Sequence, residues 1–417
     1  MIVYKFGGAS VRSADAIKNA AKIVSHCRED LMIVVSAFGK TTNALEGILK
    51  AWYRQNDERF ELLRECKLYH LEIIRQLFDD PSHPVYREFS DLFDSLENKL
   101  NKAPSSDFDF NYDQLVTAGE LLSTKIVSAY LNSINIKNQW LNARDWLLTD
   151  DNYREALVCW EGAGRQLTAA LNRNEFGVFL TQGFIGGNKG GFYTTLGREG
   201  SDYTAAILAS LLDAQRVVIW KDVPGVLTAD PKIFPDAEKI DRLSYLEAIE
   251  LSFFGAKVIH PKTVKPLQNK NIPLFVKSFY DPQAAGTVIC DDVGQKAAKP
   301  VFIIKKNQLL ISIVPKDFSF VAEGRLSQIF AFFFRHRIKV NLIQNSAVNF
   351  SLCVDNNNSI IFKLTESLRD DFSVRYNQNL ELVTIRYYTQ EAVDKMIKGR
   401  SVLLEQRTRN TVRFVLK

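Results

Sequence analysis

Apolar residues recur along this chain in two spacings that alternate for most of its length. Residues 2–6 (IVYKF), 31–37 (LMIVVSA), the run opening at Val178 and residues 217–220 are short and almost continuously apolar. They are rich in β-branched and aromatic side chains, the pattern of strands covered on both faces. Between them the spacing becomes three and four. Ala16, Ala20, Ile23 and Val24 mark a helix over 13–27 that follows the first strand directly, and 115–131 reads as another. Residues 195–212 read as a turn and then a helix, with Ser201 as N-cap and Asp202 in the first turn. Residues 44–100 are mostly helical in pattern and broken near Pro81 and Pro84; 103–109 is polar loop. Residues 178–191 (VFLTQGFIGGNKGG) read as a strand and a glycine-rich hairpin. This alternation predicts an α/β fold with a doubly wound, mostly parallel sheet.

The pattern changes after a polar stretch at 291–300, a candidate linker. Strands at 309–314, 340–343 and 351–354 surround a Phe-rich helix at 325–336. A loop of Asn356, Asn357 and Asn358 follows, then a helix at 361–368 and strands at 380–387, 402–406 and 412–416. This β-α-β-β repetition predicts a pair of small ligand-binding modules. The stripe Phe330, Phe332, Phe333 and Phe334 reads as core or subunit-interface packing.

Composition narrows the function classes. A chain of 417 residues is too long for one core and predicts two or three domains. A net charge of +5, spread without a basic stripe, gives no reason to expect a nucleic-acid partner. No apolar run approaches a membrane span. The five cysteines are odd in number and lack metal-type spacing, so they read as reduced thiols in a cytoplasmic protein. The first motif begins at residue 2, leaving no room for a targeting peptide. The five histidines are scattered, with no protein-built metal cage in view.

Candidate chemistry starts at the first strand. A strand that ends in Gly7-Gly8 and opens a helix presents backbone N–H groups to the turn, a place for a phosphate. Lys5 falls at the carboxyl end of that strand, where open α/β sheets put their ligands. Further motif-like segments follow in order: Ser36-Ala37-Phe38-Gly39-Lys40-Thr41-Thr42, Gly119-Glu120, Thr181-Gln182-Gly183-Phe184-Ile185-Gly186 and Thr195-Leu196-Gly197-Arg198-Glu199-Gly200-Ser201-Asp202. Then come Asp222-Val223-Pro224-Gly225-Val226 with Asp230-Pro231, and Phe254-Gly255-Ala256-Lys257-Val258-Ile259-His260-Pro261. Together, in this order, these segments resemble the aspartate kinase (aspartokinase) family, amino-acid kinases that carry C-terminal ACT modules.

The resemblance implies a catalytic domain over 1–293, acceptor lobe before nucleotide lobe, with a helical insertion at about 44–104. Residues 300–417 would then be tandem ferredoxin-like βαββαβ ACT modules, the second abbreviated between Tyr388 and Ser401. It implies transfer of the ATP γ-phosphoryl group to the side-chain carboxylate of L-aspartate, a first step of lysine, threonine and methionine biosynthesis. Charge logic agrees with such a reaction. A carboxylate of pKa about 3.9 is already ionised at neutral pH, so no general base is required. Two anions must nevertheless meet, so catalysis has to come from cations, N–H donors and alignment. Mg²⁺ would accompany ATP, held by phosphate oxygens and water.

By the same resemblance Lys5 and Asp202 are the catalytic pair, with Asp202 organising Lys5. Thr42, Glu120, Phe184, Arg198 and Ser201 contact the acceptor: Arg198 as a planar fork for the α-carboxylate, Glu120 for the α-ammonium. Lys5, Gly7, Gly8, Ser10, Ser36, Lys221, Asp222, Gly225, Leu227, Lys232 and Lys257 face the nucleotide. Some positions depart from the family pattern: Ala9 for a common Thr, Trp220-Lys221-Asp222 for a Thr-Asp pair, Leu227 for an aromatic residue, Lys232 for an Arg. In the tail, Asn341 and Ala347 stand where lysine-sensitive relatives often carry acids. That disfavours lysine as an effector, because a buried ammonium needs a carboxylate. The modules are expected to support a homodimer or higher homo-oligomer, with an amino-acid effector as a further partner. Two other readings stay open on the residues: a related kinase acting on glutamate or another small acid, and a catalytically weak amino-acid sensor.

Overall fold

The computed structural model describes residues 1–256, 259–291, 299–317, 323–336 and 338–417. Those within Met1–Val226, Lys239–Ile249 and Val258–Val293 form one compact unit, and those within Leu227–Glu238, Glu250–Lys257 and Gly294–Lys417 a second.

The first unit opens with β1 (Ile2–Phe6), a 3-10 turn at Gly8–Val11 and α1 (Ala14–Ser25), capped by the Ser13 hydroxyl. The expected direct passage from strand to α-helix is therefore split by one tight turn. Next are β2 (Leu31–Val35) and α2 (Thr41–Tyr53). The long helical stretch is three helices, with α3 (Glu58–Leu77) and α4 (Pro84–Leu100) following α2. Pro84 begins α4 at a position where its missing N–H costs nothing. Then come α5 (Phe108–Val116), α6 (Ala118–Ser133), β3 (Gln139–Leu141), α7 (Ala143–Trp146), α8 (Trp160–Ala170) and β4 (Val178–Gln182). A hairpin of β5 (Ile185–Gly187) and β6 (Tyr193–Thr195) leads into α9 (Gly200–Leu211). The unit also holds β7 (Val217–Lys221), β8 (Arg242–Leu243), α11 (Pro261–Gln268), β9 (Leu274–Ser278) and β10 (Thr287–Ile289); α10 (Tyr245–Phe254) begins in it.

Eight of these strands form one sheet in the order β3-β4-β2-β1-β7-β9-β10-β8. The pairings from β3 through to β9 are all parallel, while β10 runs antiparallel to β9. β1 has β2 on one side and β7, far along the chain, on the other. It is thus the switch point of a doubly wound sheet, where a crevice opens at the strands' carboxyl ends. β1, β2 and β7 are almost wholly buried, which accounts for their continuous apolar runs.

The second unit holds one six-stranded antiparallel sheet, in keeping with the expected ACT modules. Its strands are β11 (Val301–Pro315), β12 (Val340–Asn345), β13 (Phe350–Asp355), β14 (Phe372–Arg386), β15 (Val402–Arg407) and β16 (Thr411–Leu416), ordered β12-β13-β11-β14-β16-β15. Each of β11 and β14 is 15 residues long, and a register shift near Gln308 divides their pairing into halves. One half is covered by α12 (Glu323–Arg335) and α13 (Asn358–Leu368), with Ile329, Phe332 and Phe333 in its core. The other half is covered by the short α14 (Gln390–Ile397) through Ala392, Val393 and Met396. Phe332 and Phe333 are thus core residues, while Phe330 and Phe334 are exposed. The Leu227–Glu238 segment joins this unit through Phe302 N–H, which donates to Thr228 O (2.7 Å), and through the Phe234 ring stacked on Phe302. Most of the expected linker lies outside the described residues.

Candidate active site

The turn after β1 meets the turn after β2 backbone to backbone. A Cβ on Gly8 would stand 2.8 Å from Gly39 O and 2.9 Å from Ala37 O, so no side chain fits there. Gly39 N–H donates to Gly8 O (3.0 Å), and Gly39 takes a φ of +53°. A Cβ on Gly7 would fall 3.3 Å from Lys5 Nζ. Ser10 is buried, and its hydroxyl donates to the Trp220 carbonyl (3.1 Å), bracing this turn against β7. Ser36 is half-buried at the end of β2 and its N–H donates to Phe6 O. Thr42, also half-buried, lies in the first turn of α2; its neighbour Thr41 donates to Phe38 O and contacts His70 Nε2.

Lys5 and Asp202 are both buried and form an ion pair of 2.6 Å. Lys221, at the carboxyl end of β7, reaches the other oxygen of Asp202 at 3.5 Å. Burial raises the Asp202 carboxyl, but Lys5 and then Lys221 outweigh it and hold the group below the usual carboxylate range. Two ammonium groups and one carboxylate leave a net positive charge where β1 and β7 end.

Asp202 is in the first turn of α9, as expected, but the residue capping that helix is Glu199, in a left-handed conformation with φ 55°. Ser201 is therefore inside the helix, where Gly183 must be a glycine: a Cβ there would come 2.6 Å from Ser201 Oγ. Phe184 carries a φ of +70°, gives its N–H to Thr204 Oγ1 (3.0 Å) and packs where a Cβ on Gly200 would touch its ring. These close approaches are long-range, so a local capping rule could not locate the helix start. Arg198 is exposed and has no ion-pair partner among the described residues.

Glu120 lies in the first turn of α6, 2% exposed, with Oε2 lacking any hydrogen-bond partner. Burial pushes its carboxyl from 4.5 up to about 8, against the backbone hydrogen bonds of Glu120 and Ala37, which draw it down. Gly119 lets α6 approach: a Cβ there would meet Ala37, Leu45 and Thr41 at 3.1–3.2 Å.

On the nucleotide side, Asp222 is exposed and Gly225 is pressed against Thr287, whose hydroxyl takes the Val226 N–H (2.8 Å). Leu227, half-buried, and Lys232, exposed, belong to the second unit. Lys257 lies outside the described residues. Sequence reasoning missed Asp113, which is wholly buried with its carboxyl raised by burial to about 6. It also missed His70, a buried ring held neutral by burial, with its pKa down at about 4. Neither carried a local signal, because α3 and α5 both mix charged and polar residues with apolar ones and a lone His or Asp does not stand out there.

A doubly wound sheet with a cationic crevice at its switch point suits transfer of a phosphoryl group. The model of the amino acid kinase family matches residues 1–278, and the chain belongs to that family. It is 34% identical over 398 residues to the lysine-sensitive aspartokinase 3 of Escherichia coli (strain K12), covering 92% of this chain and 86% of that protein. It is 34% identical over 358 residues to an aspartokinase of Chlamydia pneumoniae, covering 84% and 77%. The crystal structure of E. coli aspartokinase III in complex with aspartate and ADP (R-state) matches with a TM-score of 0.85 at 30% identity, covering 100% of this chain and 96% of that one. The same protein with lysine and aspartate (T-state) matches at 0.82, covering 100% and 95%. Within the amino acid kinases, the chain thus groups with the aspartokinases.

Proposed function

We propose that this chain is an ATP-dependent aspartate kinase that makes 4-phospho-L-aspartate for lysine, threonine and methionine biosynthesis. The observation that carries the site assignment is the buried Lys5–Asp202–Lys221 cluster at the carboxyl ends of β1 and β7. Its surplus positive charge faces the crevice where the phosphates of ATP would lie, together with the Gly7 and Gly8 backbone. Ser36, Asp222, Gly225, Leu227, Lys232 and Lys257 complete the nucleotide contacts in this reading, and Ser10 acts as a brace.

The acceptor is held at both ends of its backbone. Arg198, exposed and without an ion-pair partner among the described residues, takes the α-carboxylate as a two-toothed fork. Glu120 takes the α-ammonium, and the arriving cation draws its carboxyl down from about 8 into the charged form. Thr42, Phe184 and Ser201 shape the remaining wall. The acceptor's side-chain carboxylate then attacks the γ-phosphorus, and the P–O bond to ADP breaks. No proton moves, because the nucleophile is already an anion. Mg²⁺ would accompany ATP on phosphate oxygens and water, where it would offset charge on the transferring group.

Residues 1–293 and 300–417 are assigned as catalytic and regulatory domains. The exposed rings of Phe330 and Phe334 support assembly as a homodimer through the second unit. Five free cysteines support a cytoplasmic setting, and no helix of the described residues is long and apolar enough to cross a membrane. Lysine is assigned no strong effector role: Asn341 Oδ1 already accepts from Lys305 Nζ (2.8 Å), an ammonium of the chain's own.

The function is tested by incubating the protein with MgATP and hydroxylamine and offering aspartate, glutamate or N-acetylglutamate. Acyl hydroxamate from aspartate alone is the expected result. Hydroxamate from glutamate would instead support the related-kinase reading, and none from any acceptor the sensor reading.

A further inference from the structure

The Gly197-Arg198 turn leaves the end of β6, and β6 is a three-residue strand paired only to the equally short β5. Two hydrogen-bonded strands of that length do not hold a turn in place by themselves. Besides the Ala156 N–H bond to Thr195 O (2.9 Å) and the Thr149–Thr194 hydroxyl contact (2.7 Å), β6 is fastened by a helix lying far away in sequence. Thr195 N–H donates to Asp113 Oδ2 (2.8 Å) and the Thr195 hydroxyl to Oδ1 (2.8 Å). Arg154 N–H donates to Oδ2 as well (3.0 Å). Next to it, Gln114 acts as a strand would. Its amide nitrogen donates to Tyr193 O (2.7 Å) and its amide oxygen accepts from Tyr193 N–H (3.2 Å). The Arg154 segment lies against the turn from the far side: a Cβ on Gly197 would stand 3.2 Å from Arg154 O.

We infer that Asp113 is a positioning residue for substrate recognition, its buried carboxylate fastening Thr195 and Arg154 so that Arg198 is presented to the acceptor's α-carboxylate. This rests on the reading of Arg198 as the acceptor-carboxylate ligand. Three N–H and O–H donors converge on two carboxylate oxygens. Protonation, or conversion to an amide, puts hydrogen on one of those oxygens; only the Thr195 hydroxyl can turn to accept it, and the two N–H donors then face an oxygen without the carboxylate's charge.

Among the described residues, Tyr112 from its own helix and Tyr153 and Arg154 from the facing loop act on Asp113; behind them lie Glu46 on the Tyr112 hydroxyl, Asp107 and Asp151 beside Tyr153, and Asp109 on Arg154. Arg154, the one cation among them, is engaged with Asp109 (3.0 Å) and lies over the Tyr112 ring. The pKa of about 6 for Asp113, raised by burial, puts its titration inside the working range.

The test is steady-state kinetics of the full chain, with Asp113→Asn, Thr195→Val and Arg198→Ala. Asp113→Asn is expected to raise KM for aspartate on the order of tenfold or more while KM for ATP stays within about twofold. Beyond the rise that Glu120 imposes below about pH 8, the wild-type aspartate KM should steepen as pH falls through about 6, and Asp113→Asn should lack that added limb. Thr195→Val removes a single hydrogen bond, so it reports even if the Asn variant does not fold, and a raised aspartate KM is again expected. Wild-type aspartate KM and pH profile in both variants, with Arg198→Ala defective, would overturn the role of Asp113 alone. Wild-type aspartate KM in Arg198→Ala would overturn the underlying assignment as well.

Discussion

Glu120→Gln gives a sharp test of how the site is charged before substrate arrives. The native carboxyl keeps its proton to about pH 8, against 4.5 in the unfolded chain. Between those values the folded protein binds more protons than the unfolded one, so stability must fall as pH rises. Over the two and a half pH units from 4.5 to 7 this amounts to about 3 kcal/mol. Glutamine is neutral in both states and escapes that cost. At pH 7 the variant should therefore be more stable than wild type by up to about 3 kcal/mol, and Tm should rise by a few degrees. The gain comes at the expense of function: the acceptor's ammonium loses its anionic partner, and KM for aspartate should rise about ten- to a hundredfold. Aspartate binding to wild type at pH 7 should release close to one proton, measurable by calorimetry in buffers of different ionisation enthalpy. Urea denaturation at pH 5, 6, 7 and 8 checks the stability limb. A wild-type stability that does not decline over this range, together with a glutamine variant no more stable at pH 7, would refute the reasoning.

Other outcomes follow from the same geometry. Lys5→Met should lower kcat by about 10²–10³ and cost a few kcal/mol of stability, since buried Asp202 keeps only Lys221; normal turnover in a folded variant would remove Lys5 from the mechanism. Gly8→Ala must push apart two backbones, so kcat/KM for ATP should drop at least about tenfold, and wild-type kinetics would show the contact to be slack. His70 is depressed from 6.5 to about 4, so below pH 6.5 the unfolded chain takes the proton more readily and stability is lost toward pH 4 at up to about 1.4 kcal/mol per unit. Denaturation of His70→Gln should lack that acid limb, and an unchanged limb would reassign it. Lysine should inhibit poorly, and half-inhibition at micromolar lysine would contradict the reading of Asn341.

Elements whose signal is local were legible before the structure. Buried strands such as Ile2–Phe6 announce themselves by continuous apolar runs, and the turn at Gly7-Gly8 by two glycines at a strand end. Where geometry depends on distant partners, the sequence says less. Glu199 rather than Ser201 caps α9, with Gly183 and Phe184 pressing on that turn from the link between β4 and β5. The C-terminal sheet is continuous because β11 and β14 pair along their whole length, a register that neither strand's pattern reveals. Asp113 was invisible because its partners lie 41 and 82 positions away, and one of two acids in a short mixed helix names no partner.

In the proposed mechanism positive charge and alignment, with no proton acceptor, bring two anions together at Lys5, Asp202 and Lys221. This is tested by kcat against pH at saturating MgATP and aspartate, from pH 7 to 8.5. The rate constant should stay within about twofold across the range, with pH dependence confined to the aspartate KM. An acid limb in kcat with an apparent pKa inside that window would reveal a titrating base in the reacting complex and contradict it.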